Sequence, residues 1–150
     1  MGFQDEVRAE VNQALVDVRT VFRYSVQDLV ESVTLEGPSK GPPSVPGRGG
    51  WMPVQLGNLR RSLRASTSQM PQINPALHQN VSDGLPEVAF VIAGTELGET
   101  IHLGFTAAYA LPVNYGHGSF AGYHFVENAS AKWDAIVAEN DAKVRSFGRT

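Results

Sequence analysis

Residues 7–33, VRAEVNQALVDVRTVFRYSVQDLVESV, set the architecture of this chain. Apolar residues recur there at steps of three or four and form one stripe of a helix: Val7, Val11, Leu15, Val18, Phe22, Val26, Leu29 and Val33. Gly37-Pro38 predicts that the helix ends before it. About thirty residues would span roughly 45 Å, more than a small domain usually covers. The stripe predicts a core helix or a helix that also seals against a neighbouring subunit, and both interpretations can hold.

The composition predicts one globular domain over residues 1–150. A chain of 150 residues, 42% of them hydrophobic, can bury a sizeable core. No apolar run approaches the ~18 residues of a membrane helix, and the acidic N-terminus lacks the apolar segment of a signal peptide. The absence of cysteine excludes disulfides and thiolate metal sites, and it is compatible with a reducing cytoplasm.

The net charge of −3 conceals a segregation of charges along the chain. Residues 37–82 carry five basic residues and no acid, so the remainder sums to −8. A solvated loop would explain this pattern. It would also fit a basic face that meets an acidic surface on a neighbouring copy or on another partner.

Residues 37–57 predict a long loop without a packed element. Five prolines and six glycines fall in this segment, and loops of this length in a compact domain are usually functional or disordered. Trp51 and Met52 lie near its end and are apolar, so we expect the end of the loop to be anchored on something.

The chain after the loop predicts a small antiparallel sheet followed by a helix. Asn58 is expected to be the N-cap of a helix of about two turns, with its leucines inward and Arg60, Arg61 and Arg64 outward. Residues 63–68 are then either the frayed end of that helix or a first strand. Residues 88–93 and 100–106 predict a hairpin. A short helical segment over 107–113, interrupted by Pro112, and a last helix over about 123–144 complete the chain.

The search for catalytic chemistry finds no candidate site. The four histidines lack metal-ligand spacing, there is no nucleophile elbow, and no glycine pattern matches a nucleotide-binding loop. We therefore predict no catalytic residue, no cofactor and no metal, and a protein that is not an enzyme. The isoelectric point of about 5.8 argues against a dedicated nucleic-acid binder despite the three arginines.

Three segments carry a resemblance to a known family. Residues 53–63 (PVQLGNLRRSL), 109–116 (YALPVNYG) and 125–129 (FVENA) resemble, in order and rough spacing, the motifs of bacteriophage tail-completion or head–tail joining proteins. The likeness covers about residues 3–145. The sequence departs from the family pattern at three places. Leu56 stands where the family commonly has threonine. Asn114 stands where it commonly has glutamate, and Pro112 interrupts that turn. His117 follows Gly116 where threonine is common.

The resemblance implies an α+β subunit in which a long N-terminal helix and a C-terminal helix pack a small antiparallel sheet. It further implies a virion structural protein, assembled in the host cytoplasm, that forms a ring, commonly a hexamer, at the head–tail neck or the tail terminus. Such a ring joins the tail tube to the head connector, and DNA only passes through its lumen; no membrane is involved. The alternatives are a connector adaptor, a tail-assembly factor absent from the finished particle, or a small hydrolase.

Five residues are the candidate protein-interface site. The end of the Pro/Gly segment is expected to reach a neighbouring subunit or ring, and the arginines are expected to meet carboxylates there: Trp51, Met52, Arg60, Arg61 and Arg64. Together they predict a basic docking edge that follows a loop.

Deletion of residues 38–50 tests the loop hypothesis. We expect the shortened chain to fold, because no core element is predicted there, and to lose ring formation or head–tail joining. Circular dichroism would report folding, and the yield of joined particles would report function. A normal yield of particles would show that the loop has no such role.

Overall fold

The long N-terminal helix predicted from the apolar stripe is present. The computed structural model describes residues 2–37, 52–53, 57–119 and 121–147. Helix α1 covers Phe3–Val33. Acidic residues in its first turn, Asp5 and Glu6, complement the helix dipole. At its other end the hydroxyl of Thr34 donates to the carbonyl of Val30 at 2.7 Å.

The predicted C-terminal helix is two helices rather than one. Helix α5 covers Phe125–Ser130 and α6 covers Trp133–Ser146, with a tight turn between them. The turn allows Phe125 and Ala129 to enter the core while α6 packs along α1. A continuous apolar periodicity did not reveal this break, because the residues at the turn, Ala131 and Lys132, are good helix formers.

Helix α6 runs antiparallel to α1 and is joined to it by a buried amide. The Nδ2 group of Asn140 donates to Asp28 Oδ2 at 2.8 Å, to Ser25 Oγ at 3.3 Å and to the carbonyl of Ile136 at 3.1 Å. Near the start of α6, Lys132 Nζ lies 3.4 Å from Ser32 Oγ. These contacts fix α6 against the second half of α1.

The α+β class is confirmed, and the sheet has two antiparallel strands. Strand β3 (Leu63–Ser66) pairs with β4 (His102–Phe105), with Leu63 opposite Phe105 and Ser66 opposite His102. The ring of Phe105 meets Phe125 edge to face at 5.4 Å. The strand interpretation of residues 63–68 is therefore the correct one, and the sheet packs on the core formed with α1, α5 and helix α3 (Leu85–Gly94).

The predicted strand over residues 88–93 is wrong, because this segment lies within helix α3 (Leu85–Gly94). Its start is fixed by Asp83, whose carboxylate accepts the amide of Leu85 at 3.0 Å, and by Pro86 in the first turn. Val88 and Ile92, one turn apart, are buried. A short apolar run does not distinguish a strand from a helix. The predicted hairpin of residues 88–93 with 100–106 is therefore wrong, and β4 pairs with β3.

Two short strands frame the Pro/Gly segment. Strand β1 (Glu36–Gly37) pairs in parallel with β2 (Met52–Pro53). The expectation that residues 37–57 hold no regular element is thus wrong at these positions. The rest of the predicted loop, residues 38–51 and 54–56, lies outside the described residues.

Helix α4 (Ala110–Tyr115) is joined to α5 by a hydrogen-bonded contact between Asn114 and Glu127. Pro112 is in the first turn, where proline is tolerated, so it does not interrupt the helix. Asn114 is 3% exposed; its Nδ2 donates to both carboxylate oxygens of Glu127 at 3.0 Å, and its Oδ1 accepts the amide of Val126 at 3.1 Å. The negative charge of Glu127 also raises the pKa of the neighbouring Tyr115.

The variant Asn114→Asp tests the contact between Asn114 and Glu127. It would place a second carboxylate against Glu127, so we expect a loss of about 2–3 kcal/mol of unfolding free energy at pH 7. The pKa of the new carboxyl would be raised in the folded state, which then binds the proton more tightly. The deficit relative to the wild type should therefore shrink as the pH falls below about 5.

Urea unfolding between pH 4 and 8 measures this deficit. The exposed Asn12→Asp makes the same chemical change without a carboxylate neighbour across the fold, and it should stay within about 0.5 kcal/mol of the wild type. A pH-independent deficit in Asn114→Asp would contradict the electrostatic explanation.

Candidate self-association surfaces

The basic segment after the Pro/Gly region begins at a left-handed glycine. Helix α2 (Asn58–Arg61) is a single turn, shorter than predicted, and Gly57 precedes it with φ of 71°. That conformation favours glycine. Gly57, not Asn58, is therefore the N-cap. Asn58 is buried instead, where its Oδ1 accepts from Arg61 Nη2 at 2.9 Å and from the amide of Val81 at 3.4 Å.

Two of the three arginines turn back onto their own chain. Arg61 Nε donates to the carbonyl of Val81 at 3.1 Å. Arg64 Nη1 donates to the carbonyls of Arg61 at 2.6 Å and Leu63 at 2.9 Å, and its Nη2 donates to the carbonyl of Ser82 at 3.1 Å. The expectation that all three point outward is wrong for Arg61 and Arg64, because both guanidinium groups donate to backbone carbonyls of residues 81–82.

The remaining predicted interface residues are only partly placed. Arg60 is exposed on α2. The backbone of Met52 pairs with Glu36 in the short parallel ladder, and Trp51 lies outside the described residues. The role of these five residues at an interface stays a prediction.

The first half of α1 presents a second surface, which we call the arm (residues 3–18). Every residue from Phe3 to Val16 is exposed. Five exposed apolar residues lie on one face of the arm, and we call them the arm stripe: Phe3, Val7, Val11, Leu15 and Val18. Each is between 41% and 79% exposed. Phe3 precedes the predicted stripe, and the other four belong to it. In the second half of the same stripe, Val26 and Val33 are buried, and Phe22 and Leu29 are partly buried against the core. The core interpretation holds for one half of the helix only.

The base of the arm is fixed by two arginines on the side away from α6. Arg23 donates to the carbonyl of Thr95 from Nε at 3.0 Å and from Nη2 at 2.8 Å. Arg19 Nη1 forms an ion pair with Glu96 Oε2 at 2.9 Å. Thr95 is buried, so these contacts tie α1 to the end of α3 and fix the direction in which the arm projects.

A broad groove lies beside the arm, between α1 and α6. It has a volume of about 970 Å³, and its floor includes Val21, Phe22 and Val137. Its rim carries four carboxylates and one arginine: Glu10, Asp17, Asp134, Asp141 and Arg145. The arm therefore has a groove with an acidic rim on one side and the arginine contacts to residues 95–96 on the other.

Groups that could support other chemistry are sparse in the described part of the chain. Across residues 2–37, 52–53, 57–119 and 121–147, no cluster of three or more histidine, aspartate or glutamate side chains could hold a metal ion. No helix in these same ranges combines the length and apolarity needed to cross a membrane. Comparison with protein-family models, curated proteins and solved structures finds no match to this chain.

The sequence did not reveal which half of the stripe on α1 is exposed, nor that Phe90 is exposed. The stripe on α1 was continuous, so its division into a buried and an exposed half was not apparent. The signal was length: α6 has 14 residues against 31 in α1 and covers less than half of it. Phe90, 82% exposed on α3, was missed because a strand was expected there.

Replacement of Arg64 tests its structural role. We expect Arg64→Ala to lower the unfolding free energy by about 1–3 kcal/mol, because it removes the hydrogen bonds of the guanidinium to the carbonyls of Arg61, Leu63 and Ser82. Arg64→Lys should recover only part of this, since an ammonium cannot reproduce the fork geometry of a guanidinium.

Chemical unfolding measures the loss. Arg145→Ala is the matched control: Arg145 is 70% exposed and pairs with Asp141 four residues before it, a contact of about 0.5 kcal/mol at most. Equal effects of the two alanine variants would contradict the structural assignment of Arg64.

Proposed function

We propose that this protein is a bacteriophage virion structural protein that assembles into a ring, commonly a hexamer, at the head–tail neck or the tail terminus. The ring joins the tail tube to the head connector, and DNA passes through its lumen. The protein acts by assembly and is not an enzyme. The resemblance of residues 53–63, 109–116 and 125–129 to tail-completion proteins supports this role.

The observation that carries the proposal is the arm stripe, which stays exposed within the part of the chain that the structure describes. Monomeric proteins rarely leave a contiguous row of large apolar side chains in water, and such rows mark contact surfaces. A subunit that needs neighbours to cover this row fits a ring better than it fits a free enzyme. The confirmed α+β class agrees with the subunit that the resemblance implies.

The basic segment has a narrower role in this proposal than the sequence suggested. Arg61 and Arg64 hold residues 81–82 against α2 and so shape the surface near the Pro/Gly segment. Arg60, with Trp51 and Met52, remains the proposed contact with a neighbouring subunit or ring.

Removal of the protein from the encoding phage tests the proposed function. We expect filled heads and separate tails in place of joined particles, restored when the wild-type chain is supplied in trans. Electron microscopy of lysates gives the fraction of joined particles. Joined particles at normal yield without the protein would refute a joining role.

Purified particles decide between the first proposal and its alternative. A neck or terminator subunit should be present at a fixed copy number per particle, measured by quantitative mass spectrometry of purified virions. An assembly factor would be needed for joining and yet absent from the finished particle.

A further inference from the structure

The arm carries opposite charges on its two flanks. With about 100° between successive helix residues, Glu6 and Glu10 lie roughly 80–120° to one side of the arm stripe, and Arg8 lies roughly 80° to the other. All three are exposed. Within the described residues, no ion pair joins any of them to another side chain. The arm therefore has an acidic flank, continued by Asp17, and a basic flank.

The apolar stripe of α1 repeats every eleven residues, a spacing that allows nearly straight helices to pack side by side. The steps of four, four and three add to eleven residues, as from Val7 to Val18 and from Val18 to Leu29. An eleven-residue repeat has 3.67 residues per turn, close to that of an undistorted helix. The stripe consequently stays on one face from the exposed arm to the buried half of α1.

We propose that the arm stripe packs against the arm stripe of a second copy, with both arms pointing in the same direction. In this arrangement the acidic flank of one arm faces the basic flank of the next, so that Arg8 meets Glu6 or Glu10 of the neighbour. The occupant of this surface is thus a second copy of the chain. This inference rests on the self-assembly in the proposed function and adds its contact and polarity.

The opposite arrangement is disfavoured by the same charges. In an antiparallel pair related by a two-fold axis, each flank meets its own equivalent, and Glu6 would lie near Asp17 of the partner. Two copies would then oppose acid to acid along one edge. Parallel arms avoid this, because an acidic flank then faces a basic flank at each edge of the contact.

Parallel arms can assemble in more than one copy number. Because an acidic flank meets a basic flank at each edge of the contact, two arms can pair about a two-fold axis parallel to them, and a larger number can form a cyclic bundle with the stripes toward its centre. In a bundle of three or more arms, the acidic flank of each arm faces the basic flank of the next, and this contact is heterologous.

The first test asks whether the arm stripe is the contact. Val11→Glu, on the stripe, should weaken self-association of the full chain by about tenfold or more. Val16→Glu makes the identical change on the opposite face of the same arm, about 140° away, and should leave association near that of the wild type. Sedimentation velocity over a concentration series measures both, and circular dichroism checks that both fold.

The second test distinguishes parallel from antiparallel arms. A variant with both flanks reversed, Glu6→Arg/Arg8→Glu/Glu10→Arg, should associate with itself, because its flanks are again opposite. It should exclude the wild type, because in parallel arms each mixed contact sets like charges together. Capture of an affinity-tagged reversed variant from an equimolar mixture should retain roughly fivefold less wild type than random mixing gives. The preference should fade at 1 M salt.

The outcomes separate cleanly. Self-sorting supports parallel arms, whereas preferential co-capture of wild type with the reversed variant, the result expected of antiparallel arms, overturns the proposal, as does random mixing at low salt. Equal weakening by Val11→Glu and Val16→Glu also overturns it. None of these results depends on the neck function, which fails separately if particles join normally without the protein.

Discussion

The seam between the second half of α1 and α6 is the constraint on which the rest of the structure depends. Asn140 spans it with hydrogen bonds to Ser25 and Asp28, so the register of the two helices is fixed by a buried polar contact as well as by apolar packing. Once that register is set, α6 ends near the base of the arm and leaves the arm stripe exposed. The arm is then exposed because the remaining helices and the sheet lie at the other end of α1, where they complete the core.

The sequence predicted the elements better than their partners. The long helix, the strand over 102–105 and the short helix before residue 116 follow from periodicity and turn residues, which are local signals. The helix over 85–94 was mistaken for a strand because its apolar run is short and nearly uninterrupted. Its start depends on Asp83 and Pro86, and its burial depends on contacts with β3. Those tertiary contacts have no local signature.

In the candidate interface, too, the sequence predicted the residues better than their contacts. Clustered arginines predicted an exposed basic edge, yet Arg61 and Arg64 donate to backbone carbonyls twenty and eighteen residues away. Charge clustering along a sequence does not reveal whether a guanidinium will be used inside the fold. The arm stripe, in contrast, was visible as a pattern. Only the lengths of α1 and α6 together reveal which half of it is left uncovered.

The departure at Asn114 bears on the interior of the subunit and not on its outer surface. The related pattern commonly has glutamate there, whereas in this chain Asn114 is buried and donates to both oxygens of Glu127. An amide can satisfy a carboxylate that a second carboxylate would repel. Asn114 and Glu127 thus form a matched pair that holds α4 against α5. The departure therefore concerns the packing of α4 on α5 and not the arm, since the core that these helices complete lies against the second half of α1.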